Sequence, residues 1–252
     1  RAARGSALLR ARAFGAWHAS LAPMALAKAR CSLRSHPPSV LTRPAKAAPL
    51  AQAIRTLGRR VAAVFDDNPA SWNQCVMGIG VVGCVRSIEQ YSPKPTVIAV
   101  GDNRHRRRLA EQLQCEWTTI VHPNAYVDPS VQIGPGSVIL PGAIVQVDGV
   151  VGRHAIVNNG CVIDHDCRIG DFAHICPGVC LAGGVTVGEG AMLGIGSVAI
   201  PGVRIGAWTT VGAGAAVVRD VPDRVVAMGV PARVKRRLDD IENGPDGPQP
   251  NG

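Results

Sequence analysis

The chain has 252 residues, a length that suits two modest domains. Its formal charge of +9 is unevenly placed: the first 65 residues hold 12 Lys and Arg and no acid, which leaves 15 basic against 18 acidic residues in the remainder. This excludes a basic nucleic-acid-binding body, and no apolar run approaches the roughly 20 residues of a membrane span, residues 13–17 being far too short.

Residues 1–46 form a basic leader rich in Arg, Ala, Ser and Pro, without periodicity, expected to be disordered. By composition it reads either as an organellar transit peptide or as a mis-assigned start, since the chain opens on Arg1 rather than Met. Residues 47–121 alternate helix and strand. A helix over 48–57 is closed by Gly58, and a strand over 61–65 ends at Asp66 and Asp67. A short helix follows over 85–90, then a strand over 96–100, a helix over 104–113 and a final strand over 117–121. That alternation predicts a small open α/β domain with a parallel, Rossmann-like sheet. Within it, 78–83 matches G-x-G-x-x-G. A dinucleotide fingerprint follows a strand and opens a full helix; this segment follows a loop-like stretch and precedes only a short helix, so dinucleotide binding is disfavoured.

From residue 122 a six-residue register takes over. Val127, Ile133, Ile139, Val145, Val151 and Val157 begin a series that runs unbroken to Val217, with only Ala199 short of a branched aliphatic. Small residues such as Ala143, Cys161, Cys167, Ala173, Ala191 and Ser197 recur four places after these positions. Ile-Gly or Val-Gly pairs at Ile133, Val151, Ile169, Val187 and Ile205 add a period of 18. Three hexads then make one coil of a triangular prism, about five coils in all, with branched aliphatics stacked inside. The prism is expected over 122–232, the chain leaving it after Val217. Residues 233–252 are expected to form a short basic helix and a disordered tail. Eight cysteines without a C-x2-C pair read as reduced thiols in a reducing compartment.

One hexad breaks the pattern: Ile163 is followed by Asp164, His165 and Asp166. A histidine held by a carboxylate is the usual base for taking a proton from an amine or hydroxyl, although a solvated corner histidine is the bland alternative. Eighteen residues on, Gly183 should lie beside His165 one coil away, its N–H open to a thioester carbonyl. His174 is nine residues from His165 and would meet it only across two prisms, which predicts an oligomer, most simply a cyclic trimer. His122 and His154 read as turn residues. Intervals of eleven and nine among His154, His165 and His174 do not match the shared zinc site of γ-class carbonic anhydrases, so no metal is expected.

Asn158, Asn159, the stretches 163–174 and 181–191, and Val230, Pro231, Ala232 and Arg233 resemble the left-handed β-helix sugar acetyltransferases. They resemble in particular the sialic acid O-acetyltransferase group, which includes N-acetyltransferases of nucleotide-linked 4-amino-sugars. The resemblance covers about 59–237. It implies an acetyl-CoA-dependent transferase with His165 as general base and Asp166 orienting it. It places Asn158 and His174 at the acceptor and acetyl sites, and Ala182, Gly183 and Gly184 at the acetyl-CoA. Asp66 and Asp67 would lie near the nucleoside, and acetyl-CoA between adjacent prisms of a homotrimer. The chain departs from the group at its front: 38–50 contains no glycine, so the first strand and its phosphate loop are expected to be missing or replaced. A non-catalytic trimeric scaffold or sugar-nucleotide-binding module is the alternative. No nucleic-acid or membrane partner is expected, and the location is cytoplasmic, or organellar if the leader is a transit peptide.

Overall fold

The computed structural model describes residues 39–42, 44–91 and 95–238, so the leader up to residue 38 and the tail from 239 lie outside the described residues. Strand β1 (Ser39–Thr42) leads into helix α1 (Pro44–Thr56) and strand β2 (Val61–Phe65). A hairpin of β3 (Cys75–Val76) and β4 (Ile79–Gly80) follows, then β5 (Thr96–Ile98) and helix α2 (Asn103–Gln112). The sheet is parallel, in the order β2–β1–β5.

This corrects the expectation for the front of the chain. The first strand is present and central, inside the stretch assigned to the leader, and α1 starts at Pro44 rather than at 48. Only one residue separates strand from helix. Proline is pre-set for the first helical position and has no N–H to leave unpaired there, so the helix can start at once. The G-x-G-x-x-G match is a hairpin: Met77 and Gly78 take left-handed φ values of 52° and 76°, as a two-residue type I′ turn needs. The predicted helix at 85–90 is a 3-10 segment, Val85–Tyr91.

The prism follows the hexad register. Its rungs are two-residue strands that pair in parallel with the rung 18 residues away, as Val145 does with Val127 and Ile163. Three faces result. One stacks Val127, Val145, Ile163, Leu181, Ala199 and Val217, the second Ile133 through Ile205, and the third Ile139 through Val211. The strand expected at 117–121 divides. Trp117 bridges to Thr96 in the α/β sheet, while Ile120–Val121 is already a rung on the third face. At the other end the chain does not leave after Val217. Val225–Met228 pairs in parallel with Thr210 and Val211, and Arg233–Arg237 returns antiparallel to it. The expected basic helix at 233 is therefore a strand: an open rung edge offers unpaired N–H and C=O groups, and pairing them outweighs the weak helical preference of a short Arg- and Lys-rich run. The prism has about six turns rather than five.

The prism core is one continuous stack from Ile139 to Ala227, in which Cys161 and Cys167 are fully buried filler. Burial of each branched side chain is worth ~1.5–3 kcal/mol, so the rungs hold one another rather than standing alone. A second cluster joins Ala47, Leu50, Ala51 and Ile54 of α1 to Val64 and Val97 of the sheet and to Val138 and Leu140 of the prism. Phe65, Ile88, Ile98, Leu109 and Leu113 pack the other side of the sheet. Among the described residues no helix is long and apolar enough to cross a membrane.

Candidate active site

His165 sits at the corner between the rungs Val162–Ile163 and Arg168–Ile169. Asp164 accepts the His165 backbone N–H at 2.8 Å, and Asp166 holds the imidazole Nδ1 at 2.8 Å. Asp166 has φ 59°, the left-handed region that an Asp tolerates better than most residues, and this turns its carboxylate back onto the preceding ring. The hydrogen bond that the ring donates to Asp166, helped by the charge of Asp164, raises the His165 pKa above its ordinary 6.5. The side chain is 56% exposed, so the ring can reach a substrate in solvent.

Gly183 lies one coil on, on the same corner. A Cβ there would stand 2.5 Å from His165 Cε1 and 2.6 Å from Nε2, so a larger residue would push the ring from its place beside the turn. The neighbouring N–H groups of Ala182 and Gly184 are bonded within the coil, to Ala199 and to the carbonyl of His165. The Gly183 N–H has no partner among the described residues. Of the three positions expected to meet the acetyl donor, Gly183 alone offers an open backbone donor.

His174 is on a different face, on the rung His174–Ile175, so the two histidines do not meet within one chain. It is buried, with Nδ1 3.3 Å from the Gly101 carbonyl and Nε2 3.3 Å from the Asn158 amide. A carbonyl can only accept, so the Nδ1 contact with Gly101 is one in which the ring donates. Asn158, Asn159 and His174 edge a cavity of about 330 Å³ that Leu50, Ile98 and Ile195 help to wall. Asp66 and Asp67 line a smaller hollow of about 100 Å³, and Val100 lines both spaces. Their carboxylates are engaged locally, Asp66 with the Asn68 N–H at 3.1 Å and Asp67 with the Val85 N–H at 2.9 Å.

Three comparisons with known proteins bear on this geometry. The family described as the PglD N-terminal domain matches residues 48–113. A histidine-to-asparagine variant of perosamine N-acetyltransferase from Caulobacter crescentus, solved with CoA and GDP-perosamine, is 39% identical. That similarity covers 80% of this chain and 98% of that one, with a TM-score of 0.76. The acetyltransferase domain of PglB from Neisseria gonorrhoeae, solved with acetyl coenzyme A, is 31% identical over 80% of this chain and 100% of that one, TM-score 0.74. This chain belongs to the hexapeptide-repeat sugar acetyltransferases. The prism of this acetyltransferase is accordingly a left-handed parallel β-helix. A galactoside O-acetyltransferase of Lactococcus lactis is 49% identical over 47 residues, a match that spans 19% of this chain and 23% of that enzyme.

Sequence reasoning missed one set of residues that the acetyltransferase uses to join its two parts. Arg106 is buried, and its guanidinium donates to the carbonyls of Val100 (2.9 Å), His154 (2.8 Å) and Phe172 (2.7 Å) and to Asn103 Oδ1 (2.9 Å). Asn103 donates in turn to the Gly190 carbonyl at 3.0 Å. His154, Phe172 and Gly190 are successive corners 18 residues apart, so α2 grips one edge of the prism. A signal existed: Arg106 stands on the same helical stripe as the apolar Leu109 and Leu113. His154, expected in a turn, is a left-handed corner residue (φ 51°) stacked on Phe172.

Proposed function

We propose that this acetyltransferase moves the acetyl group of acetyl-CoA onto the amino group of a nucleotide-linked amino-sugar, in one ternary complex and without an acyl-enzyme. The observation that carries the reading is the exposed His165–Asp166 pair lying over the unpartnered N–H of Gly183. Asp166 accepts a hydrogen bond from Nδ1–H, which leaves the lone pair on Nε2. The acceptor nitrogen attacks the thioester carbonyl, and Nε2 removes its proton. The Gly183 N–H donates to the oxygen that becomes negative. The C–S bond then breaks, and the CoA thiolate leaves with the proton from His165. No Ser or Cys hydroxyl or thiol bonds to the His165 ring among the described residues, so a covalent intermediate has no evident carrier. A sugar hydroxyl, as in a sialic acid, would use the same base; the amine acceptor is favoured by the N-acetyltransferase relatives of full-length coverage.

Asn158 and His174 are assigned to the acceptor and acetyl groups, presented to His165 of an adjacent copy in a homotrimer. Asp66 and Asp67 are placed near the nucleoside. Residues 38–50 contain no glycine, so a glycine-built diphosphate cradle is not expected there. Free thiols at all cysteines among the described residues fit a reducing, cytoplasmic setting.

The test is CoA-thiol release with acetyl-CoA and a panel of nucleotide-linked 4-amino-sugars and sialic acids. His165→Ala should lose about 10²–10⁴-fold in turnover, the usual worth of a general base, while acetyl-CoA affinity is kept. Near wild-type turnover in that variant would remove His165 from the mechanism. A folded wild type that fails to bind acetyl-CoA would return the chain to the scaffold reading.

A further inference from the structure

The edge of the prism that α2 grips carries a ring stack of its own. Gly136, His154, Phe172 and Gly190 are corners 18 residues apart, all left-handed, with His154 at φ 51° and Phe172 at φ 56°. The His154 ring lies parallel to that of Phe172, the planes 2° apart and the centroids 5.3 Å. Trp117, from the segment that joins α2 to the prism, meets the same ring edge-on at 4.7 Å. A Cβ on Gly136 would collide with His154 Nδ1 and Cε1, so the imidazole fills that corner too. Covered on all these sides, His154 is 2% exposed.

This imidazole is packed as an apolar ring would be, but it can take up a proton. Its Nδ1 is buried and has no hydrogen-bond partner. An imidazolium carries an N–H on both nitrogens, so a charged His154 would bury a donor without an acceptor. The charged groups around it add to that penalty. The Arg106 side chain of α2 donates to the His154 carbonyl at 2.8 Å, and Arg153 precedes the ring in its own corner. Asp171, from the next coil, opposes them, but its carboxylate is held by Arg153 at 2.8 Å. Burial first, then the charges of Arg106 and Arg153, push the His154 pKa down from 6.5 to about 4.

A charged ring at this corner needs water, and the two sides of the corner resist unequally. The rungs on either side of His154 are tied by parallel backbone ladders in which the ring takes no part. Its outer cover is Trp117 and the buried Arg106 of α2. We propose that the His154 corner is an acid-sensitive latch between the two parts of the chain: a proton on the ring releases Trp117 and α2 from the prism edge while the rungs keep their register. The cavity beside His174 has walls on both sides of this joint, Leu50 and Ile98 from the α/β part and Ile156 and Ile195 from the prism, so release also takes that cavity apart. The latch acts without substrate and stands whether or not the acetyl-transfer reading does.

Linkage sets the direction and the window. The released ring titrates near 6.5 and the latched ring at about 4, so the closed joint keeps its full stability above pH 6.5 and loses it as the pH falls toward 4. At pH 5.0 the opening equilibrium should be about 25-fold larger than at pH 7.5.

The test is hydrogen exchange on the full chain at pH 7.5 and pH 5.0, corrected for intrinsic rates, in wild type and in His154→Phe. Phe172 holds the equivalent corner one coil on with nearly the same φ, so phenylalanine suits the position and cannot be protonated. Wild-type protection over 103–112 should fall at least tenfold at pH 5.0 while the rungs at 156–157 and 174–175 stay protected. His154→Phe should keep its protection over 103–112 at both pH values. An unchanged Tm at pH 7.5 shows that the variant has folded, and His154→Leu replaces it otherwise. Equal wild-type protection at the two pH values would overturn the proposal without any variant. So would loss of protection in the rungs together with α2, which is general unfolding, or an equal acid loss in the variant, which gives the effect to another group.

Discussion

The proposed role of His165 as base rests on its two neighbours in sequence rather than on distant packing. Asp166 fixes Nδ1 through a left-handed corner, and Asp164 adds a negative charge while holding the backbone N–H. Both favour the imidazolium, so the pKa lies above 6.5. A base must be neutral to accept a proton, so kcat/KM should climb with pH through this raised pKa and level off above it. Asp164→Asn removes a charge that stabilises the imidazolium, so its acid limb should move to lower pH while the Nδ1 anchor remains. A pH–rate profile checks this; an acid limb that stays in place would mean that another group titrates there. The motif Asp-His-Asp was visible in the sequence, and the stacking of Gly183 beside it followed from the period of 18. The direction of the ring was not, because alternation fails at a corner, and only the left-handed φ of Asp166 sets it.

At the scale of elements, α2 decides how the α/β part meets the prism. Arg106 is a buried cation whose partners are carbonyls and one amide oxygen, and burial pulls its pKa down to about 10. It stays charged at neutral pH, stabilised by the converging carbonyl dipoles of Val100, His154 and Phe172. Arg106→Met would leave those acceptors buried and unpaired, at a cost of about 1–3 kcal/mol for each group that water cannot reach. The expected outcome is a lower Tm with hydrogen exchange rising selectively over 103–112, the prism amides staying protected. Arg106→Lys should recover little, since one ammonium cannot span acceptors arranged for a planar fork. Unchanged exchange over α2 in the methionine variant would mean that packing of Leu109 and Leu113 alone holds the helix. Elements of this kind were only partly legible. The strand β2 followed from hydrophobic pattern, and α2 was read one residue late, at 104–113, because the Asp102 cap that starts it at Asn103 was not used; β1 was hidden because an acid-free, Pro-rich stretch resembles a leader. The strand at Arg233–Arg237 was hidden because its side chains are all exposed and give no alternation, its place being set by an edge of backbone that needs pairing.

For the whole molecule, the hexad register was enough to read the prism, because each rung buries its side chains only against the rungs above and below. What one chain leaves uncovered points to the assembly. The face carrying Val145, Ile163 and Leu181 inward presents Tyr126, Ile144, Val162, Cys180, Val198 and Ala216 outward, an apolar strip running the length of the prism. Tyr126 and Val198 are largely exposed, as is Ile200 at the next corner. The second face instead presents Gln132, Val150, Arg168, Thr186 and Arg204, and α1 and the α/β sheet pack against Val138 and Leu140 of the third. A continuous apolar strip of this length is unusual on a monomer. Three copies set strip to strip around one axis would bury it and would bring His165 of one copy toward the His174 cavity of the next. Val198→Lys places a charge in the middle of the strip without touching the prism core, so the rungs should form as before. If the proposed trimer forms, light scattering should report a single chain for this variant and three for wild type, with an unchanged circular dichroism spectrum and with acetyl transfer lost alongside the assembly. A wild type of single-chain mass that is fully active would rule out the shared site and require His165 to find its acceptor within its own chain.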